Sequence, residues 1–423
     1  MTALNDQETN RRLWLKWLSA SPLLTLPGVE QALAQDAASA ATSFSKRPDP
    51  MLWPATLNPA DLINNPKDAV NVFDFEPVAY KNVPPAHFGY MASGIDDEVT
   101  LRANRQAFLK YQLRPRRMRD VSQVDMSVTL FGTRWKTPII LGPTGGNRAY
   151  DPEGEIAVAR AARAGGHLNV LASAAGSSIE DVIAARQGEV WFQLYATTSL
   201  EVAQQAVRRV ERAGVPVLAI TVDRNGGRNQ ETFSRLRRLD SRNCVACHTS
   251  GFGSAHSRPI YDGIDMSKVA SMSSSNMTWD FIQKMRDTTK MKIIIKGIVT
   301  EEDAELCLKY GVDGIQVSNH GGRSEDNGRG AIESLSEVAR VAKGKVPIIF
   351  DSGIRRGTDI VKALAMGANA VCIGRPYLWG LGAFGQPGVE RVLDILRTEL
   401  AGTMQQMGAP NIAAIVPGMV VKG

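Results

Sequence analysis

Residues Gly314 to Arg323 read GIQVSNHGGR, a short apolar run that ends abruptly in polar residues. A histidine and an arginine close together in one loop offer a base that changes charge near neutral pH and a planar fork suited to a carboxylate. The two glycines between them let the backbone turn hard and let a flat ligand come close. A lone loop histidine is more often a cap or a packing residue, but this one has company. Other apolar runs also end in polar groups: Pro143, Thr144 and Gly145; Gln193 and Tyr195; Thr221 and Asp223; Lys296; Asp351, Gly353, Arg355 and Arg356; Gly374 and Arg375. A lysine closing a run of isoleucines is hard to dismiss, because an unpartnered buried ammonium is costly. Glycines beside arginines after the last two runs expose backbone N–H groups and cationic forks, the form of a phosphate site.

These groups need a scaffold that brings strand ends to one place. The apolar runs are Pro138–Pro143, Asn169–Ser173, Val190–Tyr195, Val217–Asp223, Lys292–Gly297, Gly314–Asn319, Pro347–Ser352 and Ala370–Arg375. Helical periods follow them at Glu153–Ala164, Ser178–Arg186, Leu200–Ala213, from about Trp279, Glu301–Tyr310, Ala331–Ala342, Thr358–Met366 and Val389–Met404. This alternation predicts an α/β protein, a (β/α)8 TIM barrel whose strand C-termini form the mouth. A doubly wound open sheet is the alternative, but no G-x-G-x-x-G follows an early strand. Before the barrel, residues 71–125 read as an irregular segment with one helix near Asp96–Tyr111. One connection breaks the rhythm: no helical period reappears between Asp223 and about Trp279. A loop of this length in a compact domain is functional or disordered. Residues 224–278 carry eight basic and four acidic side chains, net +4, and are expected to lie over the mouth as a lid.

The chain of 423 residues has a net charge of +6, too weak a bias to imply nucleic acid, and it favours small anionic ligands. Arg11 and Arg12, a modest apolar run and Ala32-Leu33-Ala34 predict a twin-arginine export signal over residues 1–34 and a periplasmic protein. A plain amphipathic helix in a cytoplasmic protein is the alternative. Residues 35–70 read as a linker, leaving 71–423 as the barrel domain.

SNHGGR, DSGIRRGTDIVKALAMGA and IGRP, with WFQLY, TVD and IIIKG upstream, resemble the FMN-dependent 2-hydroxy acid oxidases and dehydrogenases, among them glycolate oxidase, lactate oxidase and mandelate dehydrogenase. The resemblance runs from about Val72 to Ile415. It implies FMN as cofactor and oxidation of an (S)-2-hydroxy acid, lactate- or mandelate-like, to the keto acid. Oxygen, a cytochrome or a quinone would take the electrons, and a homo-oligomer is expected. By position it implies His320 as the base, Asp223 behind it, Arg323 and Tyr90 on the substrate carboxylate, and Tyr195 on the substrate hydroxyl. It places Lys296, Gln193, Thr221, Thr144, Gly145, Ser318 and Asp351 around the flavin, and Gly353, Arg355, Gly374 and Arg375 on its phosphate. A flavin-bearing sensor and a different FMN-barrel reaction such as isomerisation are the other readings.

Four departures from the family pattern bear on function. Many members carry an arginine seven residues after the TVD aspartate; here Gln230 stands there, with Arg228 nearby as a substitute. Ala172 replaces a Ser or Thr common beside the flavin. Ala174 and Gly145 replace bulkier residues, which suggests a roomier pocket for a longer or aromatic 2-hydroxy acid. SEDNGRG follows SNHGGR in place of the usual run. Cys244, Cys247 and His248 form C-x-x-C-H in the lid, the pattern of c-type haem attachment, for which Met266, Met272 or Met277 could supply a second ligand. A disulfide, a metal clip or plain thiols remain open alternatives. Cys307 and Cys372 read as buried apolar residues. His167 precedes the second strand, on the face away from the mouth, whereas His87 lies near Tyr90 in sequence.

Overall fold

The structure, a computed structural model, describes residues 62–224, 226–242 and 258–423. The expected export signal, most of the expected linker, and Cys244, Cys247, His248 and His256 lie outside the described residues.

Eight parallel strands close into a barrel. They are β1 Ile139–Leu141, β2 Leu168–Ala172, β3 Trp191–Tyr195, β4 Val217–Thr221, β5 Lys292–Ile298, β6 Gly314–Val317, β7 Ile348–Phe350 and β8 Ala370–Ile373. Each pairs with the next, and β8 returns to β1. The strands are short and almost wholly buried, which is why they read as continuous apolar runs. Their register matters for the site. Tyr195 pairs with Thr221, Thr221 with Lys296, and Lys296 with Gln316, so four polar residues fall in one row at the mouth.

Helices α1 Gly154–Gly165, α2 Ile179–Arg186, α3 Leu200–Arg212, α4 Trp279–Thr288, α5 Glu301–Lys309, α6 Ala331–Ala342, α7 Gly357–Ala365 and α8 Arg375–Met407 surround the barrel. Helix α3 shows the logic. Ser199 caps it by accepting from the Val202 N–H, Val202, Ala203, Ala206, Val207 and Val210 form its buried stripe, and Arg209 and Arg212 lie in its last turn, where cations suit the helix dipole. Helix α8 is two helices joined at a kink, with non-helical backbone at Phe384 and Gly385 ahead of Pro387.

The end of the barrel opposite the mouth is plugged by an antiparallel hairpin, Val128–Leu130 with Thr133–Trp135. Its Leu130 and Trp135 join Trp191, Leu168, Val217 and Ile294 in one apolar cluster, and Phe131 packs on Trp191 with ring centroids 5.4 Å apart.

Three local expectations are corrected. The N-terminal segment holds helices at Phe75–Asn82 and Pro85–Ala92 as well as Val99–Gln106, two more than the one expected. The end of the expected linker is also packed: Pro66–Asp68 forms a 3-10 turn and Ala69 is buried. The lid contains a helix at Glu231–Arg237, because Phe233 and Leu236, one turn apart, seat against Gly89 on the preceding helix.

Candidate active site

The loop after β6 is held in an unusual conformation. His320, Gly321 and Gly322 all have positive φ, at 57°, 70° and 74°. A left-handed histidine is uncommon and is held here by its surroundings. Its backbone N–H donates to Ser318 Oγ at 3.0 Å, and the Gly321 N–H donates to Ser352 Oγ at 2.9 Å. The glycines serve the chain itself. A Cβ at Gly321 would stand 2.7 Å from an Arg375 nitrogen, and one at Gly322 would stand 2.6 Å from the Leu101 nitrogen. The close approach seen at these glycines is that of Arg375 and of the Val99–Gln106 helix.

This turn aims the His320 ring. Nδ1 lies 2.8 Å from Asp223 Oδ1, and Nε2 lies 3.2 Å from the Tyr195 hydroxyl. With an ionised Asp223 behind it, Nδ1 carries the proton and Nε2 presents its lone pair toward the cavity. Burial pushes the His320 pKa down to about 4, against the opposing pull of Asp223, so the resting imidazole is neutral. Burial alone would raise the Asp223 carboxyl, but His320 and Lys296 outweigh it and hold it well below the usual range. Lys296 lies 3.8 Å from Asp223 and 3.7 Å from Asp351 and donates to Ser318 Oγ at 3.0 Å. Burial lowers its pKa, and the two carboxylates more than reverse the effect, so the ammonium stays charged. Ser318 is a fully buried hub, which also donates to Asp351 Oδ1 at 2.6 Å.

Across the cavity, Arg323 lies 4.7 Å over the Tyr90 ring. Its Nη1 donates to the carbonyls of Tyr90 at 2.6 Å and Ser93 at 2.9 Å, and its remaining nitrogens make no hydrogen bond among the described residues. It is thus held in place by backbone carbonyls with nitrogens left over. Burial pushes the Tyr90 phenol up, but Arg323, Arg224, Arg228 and Arg258 outweigh it and bring the pKa down to about 8. Gln230 donates to Ser93 Oγ at 3.1 Å, so it braces the loop that holds Arg323.

His320, Tyr195, Lys296, Arg323 and Tyr90 line one cavity that opens at the mouth of the barrel. Its other lining comes from Thr144, Gly145, Asp351, Gly353, Arg355, Gly374 and Arg375, so residues from six of the eight strand ends meet there. Gln193 donates to Thr221 at 2.9 Å, while its Oε1 is buried with no hydrogen-bond partner. Such an acceptor is free for an N–H donor. Thr144 bonds to Tyr377 and to Asn147. Arg355 is buried over the Trp379 ring at 4.7 Å and donates to the Ile354 carbonyl. Burial, with Arg105 and Arg375 nearby, depresses its pKa to about 9 against the opposing pull of Glu76 and Asp359. Gly374 is open: a Cβ there would meet only Thr144, at 3.8 Å.

Several expectations change in detail. The Arg375 guanidinium donates to the carbonyls of Met91, Gly321 and Ser93 at 2.9–3.0 Å, so it ties the β6 loop to the N-terminal segment and would have to release a carbonyl to reach an anion. Arg356 points to Glu399 on α8 at 3.0 Å. Ala174 and Gly145 pack on each other: a Cβ at 145 would lie 2.6 Å from the Ala174 Cβ, so their smallness serves that contact and is no measure of pocket room. His87 is buried with Nδ1 2.7 Å from the Ala149 carbonyl, and it does not line the cavity. His167 sits at the plugged end, on Thr137 at 2.9 Å. The sequence reading missed Arg224, whose guanidinium lies 4.5 Å over the Tyr195 ring, and Arg258. The concentration of basic residues in the lid was the signal for both, and Arg224 also directly follows Asp223.

Comparison with known proteins agrees with this geometry. The FMN-dependent dehydrogenase family matches residues 79–422. Glycolate oxidase 1 of Oryza sativa is 38% identical over 348 residues, covering 82% of this chain and 94% of the oxidase. The structure of a soluble mutant of the membrane-associated (S)-mandelate dehydrogenase from Pseudomonas putida superposes with a TM-score of 0.76 at 34% identity, covering 84% of this chain and all of that one. A mutant flavocytochrome b2 with pyruvate bound gives 0.75 at 30% identity, over 84% and 87% of the two chains.

Proposed function

The chain belongs to the FMN-dependent dehydrogenase family of 2-hydroxy acid oxidoreductases, and from that premise we propose that it converts a small (S)-2-hydroxy acid to the 2-keto acid. The single observation that carries the reading is the facing pair. A neutral His320 backed by Asp223 looks across the cavity toward Arg323 on Tyr90.

The residues present fit FMN. The orphaned Gln193 Oε1 suits a ring N–H, the open Gly374 and the crowded Arg355 suit a phosphate, and the charged Lys296 suits a ring edge that gains negative charge. When bound, FMN supplies the two-electron acceptor. The chain does the rest. Arg323 and Tyr90 hold the substrate carboxylate and so orient the α-carbon. Tyr195 holds the substrate hydroxyl near His320. His320 Nε2 takes the proton that leaves the substrate, and Asp223 stabilises the imidazolium that results.

The basic composition of the lid and the export signal expected from Arg11 and Arg12 favour a respiratory acceptor, a cytochrome or quinone, over oxygen, for a periplasmic homo-oligomer. Anaerobic addition of glycolate, lactate and mandelate to the yellow protein tests the reaction: rapid bleaching by a 2-hydroxy acid supports it, and no bleaching by any overturns it. Oxygen uptake measured against cytochrome c reduction tests the acceptor. Fractionation with N-terminal sequencing tests export, and an absorbance spectrum shows whether Cys244, Cys247 and His248 carry haem.

A further inference from the structure

The positive charge around Tyr90 exceeds what one carboxylate needs. Arg323, Arg224, Arg228 and Arg258 all act on this phenol. Arg224 stacks on Tyr195 at 4.5 Å, as Arg323 stacks on Tyr90 at 4.7 Å, so two guanidinium–tyrosine pairs flank the mouth. None of the four arginines makes an ion pair among the described residues, although the structure pairs many others. Arg224 Nε and Arg258 Nη1 are buried with no hydrogen-bond partner. Arg228 is half-buried, and burial together with Arg224 lowers its pKa to about 10.

Half-buried guanidiniums with unused donors repel one another, and a fold tolerates this where an anion completes the set. Asp223 acts on Arg224 and raises its pKa, but it forms its ion pairs with His320 and Lys296 and none with the four arginines. The α-carboxylate of the substrate has Arg323 and Tyr90. Arg224, Arg228 and Arg258 are left over, on the lid, behind Tyr195 and Tyr90 and not in the cavity wall itself. Arg224 adjoins the cavity through Tyr195, which does line it.

We propose that Arg224, with Arg228 and Arg258, forms a second anion subsite and that the preferred substrate is a 2-hydroxy dicarboxylate. This rests on the reading of the site as a 2-hydroxy acid oxidoreductase and names its substrate class. The distal carboxylate takes no part in the chemistry; it accepts charge-assisted hydrogen bonds from the spare nitrogens.

The test uses the full FMN-loaded chain and matched probes: (S)-2-hydroxyglutarate against (S)-2-hydroxypentanoate, and (S)-malate against (S)-2-hydroxybutyrate. Anaerobic flavin bleaching gives the half-saturating concentration of each. The expected result is a preference of about ten-fold or more for the dicarboxylate of at least one pair, the scale of one charge-assisted hydrogen bond. Arg224→Gln and, separately, Arg258→Gln should shrink that ratio. Equal affinities, or a preference for both monocarboxylates, in the unmodified protein would overturn the proposal while leaving the oxidoreductase reading intact. A dicarboxylate preference that survives both substitutions would overturn the assignment of the subsite. Failure of all four acids, with lactate and mandelate, to bleach the flavin would remove both readings together.

Discussion

The two ends of the barrel each hold a buried histidine whose pKa is pushed down to about 4, and only one end can do chemistry. At the plugged end, burial is the main cause for His167. Its ring bonds to Thr137 and lies 3.3 Å from the Ile139 carbonyl, with no carboxylate bonded to it among the described residues. At the mouth, His320 has Asp223 on one ring nitrogen and Tyr195 and a cavity on the other. The backbone differs as well: His320 sits in a left-handed turn, and His167 simply enters β2. A depressed pKa therefore reports burial, and function must be read from what stands on either side of the ring.

Exchanging each histidine for glutamine breaks this comparison most directly. His320→Gln should keep the yellow colour and cut anaerobic flavin reduction by about a thousand-fold, within the range for loss of a positioned base. Retained turnover would end its assigned role. His167→Gln should leave the reduction rate of folded protein within about two-fold, because it touches nothing at the mouth. The plug makes the opposite case. Trp135→Ala removes a buried ring from the hairpin cluster and should cost about 3–4 kcal/mol in urea unfolding, with the turnover of the remaining folded enzyme unchanged. A large rate loss there would mean that the two ends are coupled.

The same contrast decides what could be read from the sequence. The eight strands were legible because strands buried on both faces are unbroken apolar runs, and their polar endings marked the mouth. The Phe75–Asn82 and Pro85–Ala92 helices were not. At eight residues each they are set by packing, and Pro85 and Gly89 dilute their pattern. The lid helix at Glu231–Arg237 escaped for the same reason. Side-chain destinations were partly legible. His320 with Asp223 followed from strand order, but Arg375 ends on carbonyls some 280 residues away in sequence, a destination its own neighbours do not encode. Arg224 could have been suspected from its place beside Asp223, yet only the fold puts it on Tyr195.

Tyr90 sharpens the comparison through pH. Its phenol must stay protonated to donate to a carboxylate, and its pKa is about 8. Above that value the apparent KM should rise by up to about ten-fold per pH unit, while His320, neutral down to about pH 4, leaves the limiting rate flat from pH 6 to 8. Tyr90→Phe should remove the alkaline rise and start from a higher KM. A KM that stays level to pH 10 in the unmodified enzyme would exclude an ionising Tyr90 from substrate binding.

The smallest effect belongs to His167 and concerns stability alone. An unfolded histidine takes up a proton below about pH 6.5, whereas folded His167 resists until about pH 4. Between those values the unfolded chain holds more protons, so this group adds stability at neutral pH that is lost as the pH falls. His320 has the same sign in the free protein. Acid titration of the unmodified chain should therefore lose stability with contributions from both, and His167→Gln should flatten the curve between pH 6.5 and 4, by about 1 kcal/mol over the window once local rearrangement is allowed for. The remaining slope should respond to a substrate analogue, because an anion on Arg323 and Tyr90 changes the surroundings of His320 and not those of His167. Urea midpoints at pH 4.5 and 6.5, with and without the analogue, separate the two rings. An analogue-sensitive contribution from His167 would mean that the plugged end senses the mouth, and the division of labour drawn between them would fall.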